Sequence, residues 1–196
     1  MRKVILSLLL LLLVGGIGLM VFLWMNNPKL PYLDEVENFT LEEVHGSTYQ
    51  LENGKVKLIS FFYTNCPDIC PLTMMDFKLL QERLKQEGIF GKEVELIAIS
   101  IDPKHDQPQV IRDYASSFSA DKEGWKWLRG SNDVTKEIAI NLQMQYEKLE
   151  GDFYSHSTSM YLLDKDNNVR ALYDMAYSKK PIEKDVIIED ILYLTN

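Results

Sequence analysis

The sequence predicts an α/β domain in which parallel strands come first and an antiparallel hairpin later, carried behind an apolar N-terminal helix. Three observations lead there. Positions 4–25 form an uncharged run of 22 residues. Two nearly continuous apolar runs, 56–63 and 94–101, have the composition of strands covered on both faces. Each is followed by a segment with helical apolar spacing, and two short late runs flank the turn residues Asp166, Asn167 and Asn168.

The first run is long enough to cross a hydrocarbon core of ~30 Å. Arg2 and Lys3 precede it, and Asn26, Asn27 and Pro28 follow. By the positive-inside rule the N-terminus lies in the cytoplasm and the remainder outside, which predicts a single-pass plasma-membrane protein with an extracytoplasmic domain. The run is longer than a signal peptide's apolar core and no small-residue cleavage site follows, so residues 1–25 are read as an uncleaved anchor. Residues 26–38, with Pro28 and Pro31, read as a tether, and residues 39–196 as one domain. Beyond Arg2 and Lys3 the chain carries 19 basic and 29 acidic residues, a net charge of about −10 that would repel nucleic acid; no nucleic-acid partner is expected.

Turn residues at His45-Gly46 and at Glu52-Asn53-Gly54 predict an N-terminal hairpin, and a buried strand then runs from about Val56 to Tyr63. Pro71 suits the first position of a helix, since its missing N–H is no loss there. Leu72, Met75, Leu79, Leu80 and Leu84 give that helix an apolar stripe, and Gly88 ends it. After the strand at 94–101, Pro108 starts a helix that reaches about Phe118. Residues 125–130 read as a strand and 132–142 as a helix; the late hairpin turns at 166–168, and Pro181 opens a C-terminal helix.

Both cysteines, Cys66 and Cys70, fall where the first buried strand meets its helix, in TNCPDICP. A cysteine pair at that junction is the thioredoxin arrangement, so the expected fold is thioredoxin-like with an added N-terminal hairpin. Three chemistries are open to the pair. A structural disulfide closing so short a loop would contribute only about 2 kcal/mol, and a core of this size does not require it. A redox couple gains from the helix N-terminus, which favours thiolate. Against it stand the C-x-x-x-C spacing, where C-x-x-C is usual, and the carboxylate of Asp68 between the sulfurs. Thioredoxin-like oxidoreductases carry a cis-proline in the loop before the later hairpin; here that loop, FYSHSTSMYLL, has no proline but has His156. Two thiolates and an imidazole suit a soft or borderline metal, and copper before zinc, for which a structural site would need a fourth ligand.

These residues resemble the SCO/SenC family of membrane-tethered, thioredoxin-like copper proteins that assemble the dinuclear copper centre of cytochrome c oxidase. FFYTNCPDICP (61–71), ISIDPKHD (99–106), WKWLRG (125–130) and HSTSMYLLD (156–164) match in order and spacing. The resemblance implies that Cys66, Cys70 and His156 bind copper, as Cu(I) or Cu(II), and that Asp102 is the acidic residue near the site. It implies the copper-bearing oxidase subunit as partner. It also leaves a second role open, a thiol-disulfide oxidoreductase using a Cys66–Cys70 disulfide to reduce that subunit's copper-ligating cysteines. Asn65 and the glycine-free DKDNN turn depart from the family pattern without touching a ligand. Of the other candidates, His45 reads as a turn residue, His105 as a surface residue, Met74 and Met75 as core, and Asp106 as a cap for the helix at Pro108.

Overall fold

The structure, a computed structural model, describes residues 2–25, 30–149, 151, 153–178 and 180–195, and in the first helix the side chains of 11–22 alone. It divides into two compact units, 1–31 and 32–196.

The first unit is helix α1, Arg2–Met25. Among the described residues no helix is long and apolar enough to cross a membrane. The span expected over residues 4–25 extends at both ends beyond the described side chains and so lies partly outside the described residues.

In the second unit the chain forms β1 (Asp34–Glu35), β2 (Thr40–Glu43), β3 (Ser47–Gln50), β4 (Val56–Phe62), α2 (Ile69–Gln86), β5 (Val94–Ser100), α3 (Pro108–Ser117), β6 (Trp125–Arg129), α4 (Asn132–Asn141), β7 (Tyr146–Lys148), β8 (Tyr154–His156), β9 (Ser159–Leu163), β10 (Asn168–Asp174) and α5 (Lys184–Thr195). Eight strands make one sheet in the order β1-β10-β9-β4-β5-β6-β2-β3. At its centre β4, β5 and β6 are parallel, and β9 lies antiparallel against β4. Every side chain of β4 and β5 is buried, which is why their sequences run apolar instead of alternating. Helices α2 and α5 pack on each other and on this pair, and α3 packs on β6. Trp125 and Trp127 alternate along β6 and stack at 5.2 Å, with Phe62 edge-on to Trp127 at 5.0 Å. This is the mixed α/β, thioredoxin-like architecture with the added hairpin β2–β3 on its edge.

Several details differ from the sequence reading. Asp34 and Glu35, placed there in the tether, pair with Asn168 and Val169 as the edge strand β1. Helix α2 begins at Ile69, so Pro71 sits in its first turn and not at its first residue. Its core face is Met74, Phe77, Leu80 and Leu84, while Met75 (60 % exposed) and Leu79 (53 %) point outward. An apolar residue every three or four positions fits two neighbouring helical faces, and packing on the sheet, where Phe77 meets Trp125 at 5.8 Å, selects one. Gly88 ends α2 with φ +76°, as expected of a glycine past the helix end.

The β9–β10 turn manages without glycine. Asn167 takes the left-handed conformation, φ +67°, which asparagine tolerates. Asp164 Oδ1 accepts the N–H groups of Asp166 and Asn168 at 3.1 and 2.9 Å, and Asn167 Oδ1 accepts the buried Lys57 ammonium at 2.6 Å. Burial lowers the Lys57 pKa to about 8.

Between pH 8 and pH 10.5 the unfolded chain keeps this proton and the folded one sheds it, so stability from this group rises with pH through that window. Urea melts of wild type and Lys57→Met should therefore show the wild type gaining roughly 2 kcal/mol on the variant from low pH to pH 10. A pH-independent difference would assign Lys57 an ordinary pKa.

Candidate functional site

Strand β4 delivers the chain to a tight turn in which the Cys66 N–H donates to Tyr63 O at 3.1 Å. Helix α2 follows directly, and the unpaired N–H groups of its first turn face back toward the Cys66 sulfur. The Cys70 N–H donates to Cys66 Sγ at 3.4 Å. Both cysteines are free thiols, Cys66 half-buried and Cys70 fully buried.

These surroundings divide the pair. A hydrogen bond from the Cys70 thiol, another from His156, and the N–H groups of Asp68 and Cys70 lower the Cys66 pKa to about 4 against the opposing effect of burial. The bond that Cys70 donates to Cys66, together with its burial, drives the Cys70 pKa up. The objection drawn from Asp68 does not hold. Its side chain is exposed and makes no capping bond, while its backbone N–H stabilises the thiolate.

His156 ends β8, which pairs with β7 in a separate two-stranded sheet. Its Nδ1 lies 2.8 Å from Ser157 O. A ring N–H committed to that carbonyl leaves Nε2 as the atom toward Cys66, where it donates to the thiolate when it too carries a proton and offers a lone pair to a metal when it does not. The ring stands edge-on to Tyr63, centroids 6.3 Å apart. No peptide bond among the described residues is cis, and the segment before β9 carries this imidazole in place of a proline.

Cys66 thus takes the Cys70 N–H on its sulfur at 3.4 Å and feels the side chains of Cys70 and His156. Among the described residues no group of three His, Cys, Asp or Glu side chains is already arranged to hold a metal ion. The three form a chain with Cys66 at its middle, and a bound ion would draw the ends inward. The donor set suits a soft ion, with one sulfur held as thiolate, a second that releases a proton on binding, and an imidazole of fixed tautomer.

Asp102 is 1 % exposed and lies just past β5. It is not bonded to either cysteine in this arrangement. Its N–H donates to Ser100 Oγ, its Oδ2 lies 2.7 Å from His105 Nδ1, and its Oδ1 accepts the Tyr154 hydroxyl at 3.1 Å. His105, read as a surface residue, is half-buried and tied to that carboxylate. His45 occupies the expected turn, its Nδ1 2.8 Å from Glu43 Oε1. Met74 is core as expected, and Met75 is not.

Asp106 carries more than its sequence suggested. Helix α3 is capped at Gln107 without a side-chain bond. The fully buried Asp106 carboxylate instead accepts the Thr64 N–H and hydroxyl and the Ser100 hydroxyl. Burial pushes its pKa up, against the pull of these donors. Tyr63 and Tyr154, 5.3 Å apart, were also missed as parts of the site. The only signal was their closeness in sequence to Cys66 and His156.

In the reduced protein Cys66 should be alkylated by iodoacetamide at pH 6, with a rate that stays flat until the pH nears 4, while Cys70 stays unmodified. His156→Ala should move that fall to higher pH. Equal labelling of both sulfurs at pH 6 would contradict the assignment.

Compared with known proteins, residues 30–189 match the family described as SCO1/SenC. The chain is 34 % identical over 151 residues to a SCO1 protein homolog of Bacillus subtilis, covering 74 % of this chain and 77 % of the relative. It is similar in structure to BsSco, described as a member of the Sco family of cytochrome c oxidase assembly proteins with a disulfide switch, at TM-score 0.72 and 29 % identity over 87 % of this chain and 97 % of the other. It is likewise similar to copper-bound ScoI of Arabidopsis thaliana, at TM-score 0.67 and 25 % identity over 81 % and 96 %.

Proposed function

This chain belongs to the SCO1/SenC family, and we propose that it is a membrane-anchored copper metallochaperone that serves assembly of the dinuclear copper centre of cytochrome c oxidase. The observation that carries the reading is the placement of Cys66 between Cys70 and His156, with the imidazole tautomer fixed by Ser157. Copper is the cargo. The Cys66 thiolate takes it first, His156 Nε2 adds a second ligand, and Cys70 gives up its proton to close the set. Delivery proceeds by ligand exchange, as thiolates of the copper-bearing oxidase subunit displace this chain's donors one at a time.

Anchoring belongs to the same proposal. Support for it is the uncharged sequence over 4–25 with Arg2 and Lys3 before it, which orients the domain to the extracytoplasmic face of the plasma membrane. The protein should resist extraction with alkaline carbonate, and protease added to the outer face of spheroplasts should digest the domain.

A second reading is favoured by the split between the two thiols. Cys66 thiolate attacks a disulfide of the oxidase subunit and forms a mixed disulfide; Cys70 then attacks Cys66. The target leaves reduced by two electrons, and this chain leaves with a Cys66–Cys70 disulfide.

Anaerobic titration of the reduced protein should give a one-to-one copper complex with thiolate-to-copper absorption. In His156→Ala, Cu(II) affinity should fall roughly 100-fold with the fold intact, at the upper end of the loss seen when even an outer-shell partner is removed. Unchanged affinity and absorption in that variant would remove His156 from the site. Full oxidase assembly in cells carrying only His156→Ala would favour the reductase, because a dithiol needs its sulfurs more than the imidazole.

A further inference from the structure

We propose that Tyr154 is a positioning residue whose hydroxyl, donated to the buried Asp102 carboxylate, latches strand β8 and so holds His156 beside Cys66. The inference rests on the copper-binding reading of this site and adds the element that presents its imidazole.

Strand β8 has three residues and pairs with β7, itself of three residues, outside the main sheet. A ribbon that short has little stability of its own. Something must fix it to the body of the domain. Tyr154 and His156 are two residues apart on one strand, so their side chains leave from the same face. Both rings meet Tyr63, at 5.3 and 6.3 Å. A rotation that releases one ring from the domain therefore releases the other.

The Tyr154 hydroxyl reaches Asp102 Oδ1 at 3.1 Å. That carboxylate is itself held, because Asp102 N–H bonds to Ser100 Oγ and Oδ2 faces His105 Nδ1 at 2.7 Å. The other polar tie from Tyr154 to the domain body is its N–H to Tyr63 hydroxyl at 3.5 Å, a long and weak contact. A bond to a buried carboxylate is the stronger of the two.

Tyr154→Phe keeps the ring against Tyr63 and removes one oxygen. In the full chain in detergent micelles, reduced and metal-free, amide exchange at residues 155–157 should speed about tenfold while exchange in β4 and β5 stays unchanged. Cu(II) loaded on the same protein should pass to a chelator about tenfold faster, a difference of about 1.4 kcal/mol. Asp102→Ala should produce the same local change in exchange, and the double variant should add nothing further. Wild-type exchange at 155–157 in Tyr154→Phe, or additive effects of the two substitutions, would overturn the latch. Should the wild type bind no copper, the metal reading fails, and the exchange measurement alone still decides the latch.

Discussion

One buried carboxylate joins the two loops on which the site depends. Strands β4 and β5 are parallel neighbours, so both end at the same edge of the sheet; one continues into the cysteine turn and the other into the segment carrying Asp102. Asp106 spans them, accepting Thr64 from the first and Ser100 from the second. Arg129, from β6, holds the backbone of the second loop through Pro103 O and Asp106 O. A carboxylate with no exposed surface is costly to bury, and its cost is offset only while these donors stay in place. The cysteine turn therefore cannot shift without stranding a buried acid.

That rigidity sets the chemistry of the sulfurs. With the turn fixed, Cys66 lies at the mouth of α2 and collects N–H groups that a helix leaves unpaired, while Cys70, the second residue of α2, is fully buried and donates to Cys66. Two chemically identical thiols acquire opposite tendencies from a displacement of four residues. Attack on a disulfide would use this asymmetry, one sulfur ready as thiolate and the other in reserve, and a metal would meet one donor already deprotonated. The asymmetry explains why the same pair supports both readings, and why the imidazole and not the cysteines separates them.

Much of this was legible in the sequence, for physical reasons that can be named. Strands β4 and β5 announce themselves because burial on both faces leaves no polar alternation, and the cysteine turn because Pro71 and Gly88 bracket its helix. His156 was found by its place in the loop where another residue type was expected. What stayed hidden depends on partners far along the chain. Met75 and Leu79 have the same local pattern as core residues until packing on the sheet chooses the face. Asp106 looks like a helix cap until Thr64, 42 residues earlier, is seen to donate to it. The edge strand β1 is two residues long and has no pattern of its own; only β10 makes it a strand.

The division between a fixed pair of sulfurs and a histidine on a small separate hairpin bears on how such a site would let go of its cargo. A site with all ligands on the rigid sheet would bind tightly and exchange slowly, since no ligand could leave without strain in the core. Here the sulfurs belong to the rigid part and the imidazole to a ribbon tied by few bonds. Loss of the histidine would leave the ion on two sulfurs at the sheet edge, one of them half-exposed and open to an incoming thiolate. Stepwise release through the weakest-held ligand is faster than concerted release from three equally held ones, because each exchange breaks one bond as another forms. Under the copper-carrying reading, an arrangement with one detachable ligand would serve both uptake and release within a single fold.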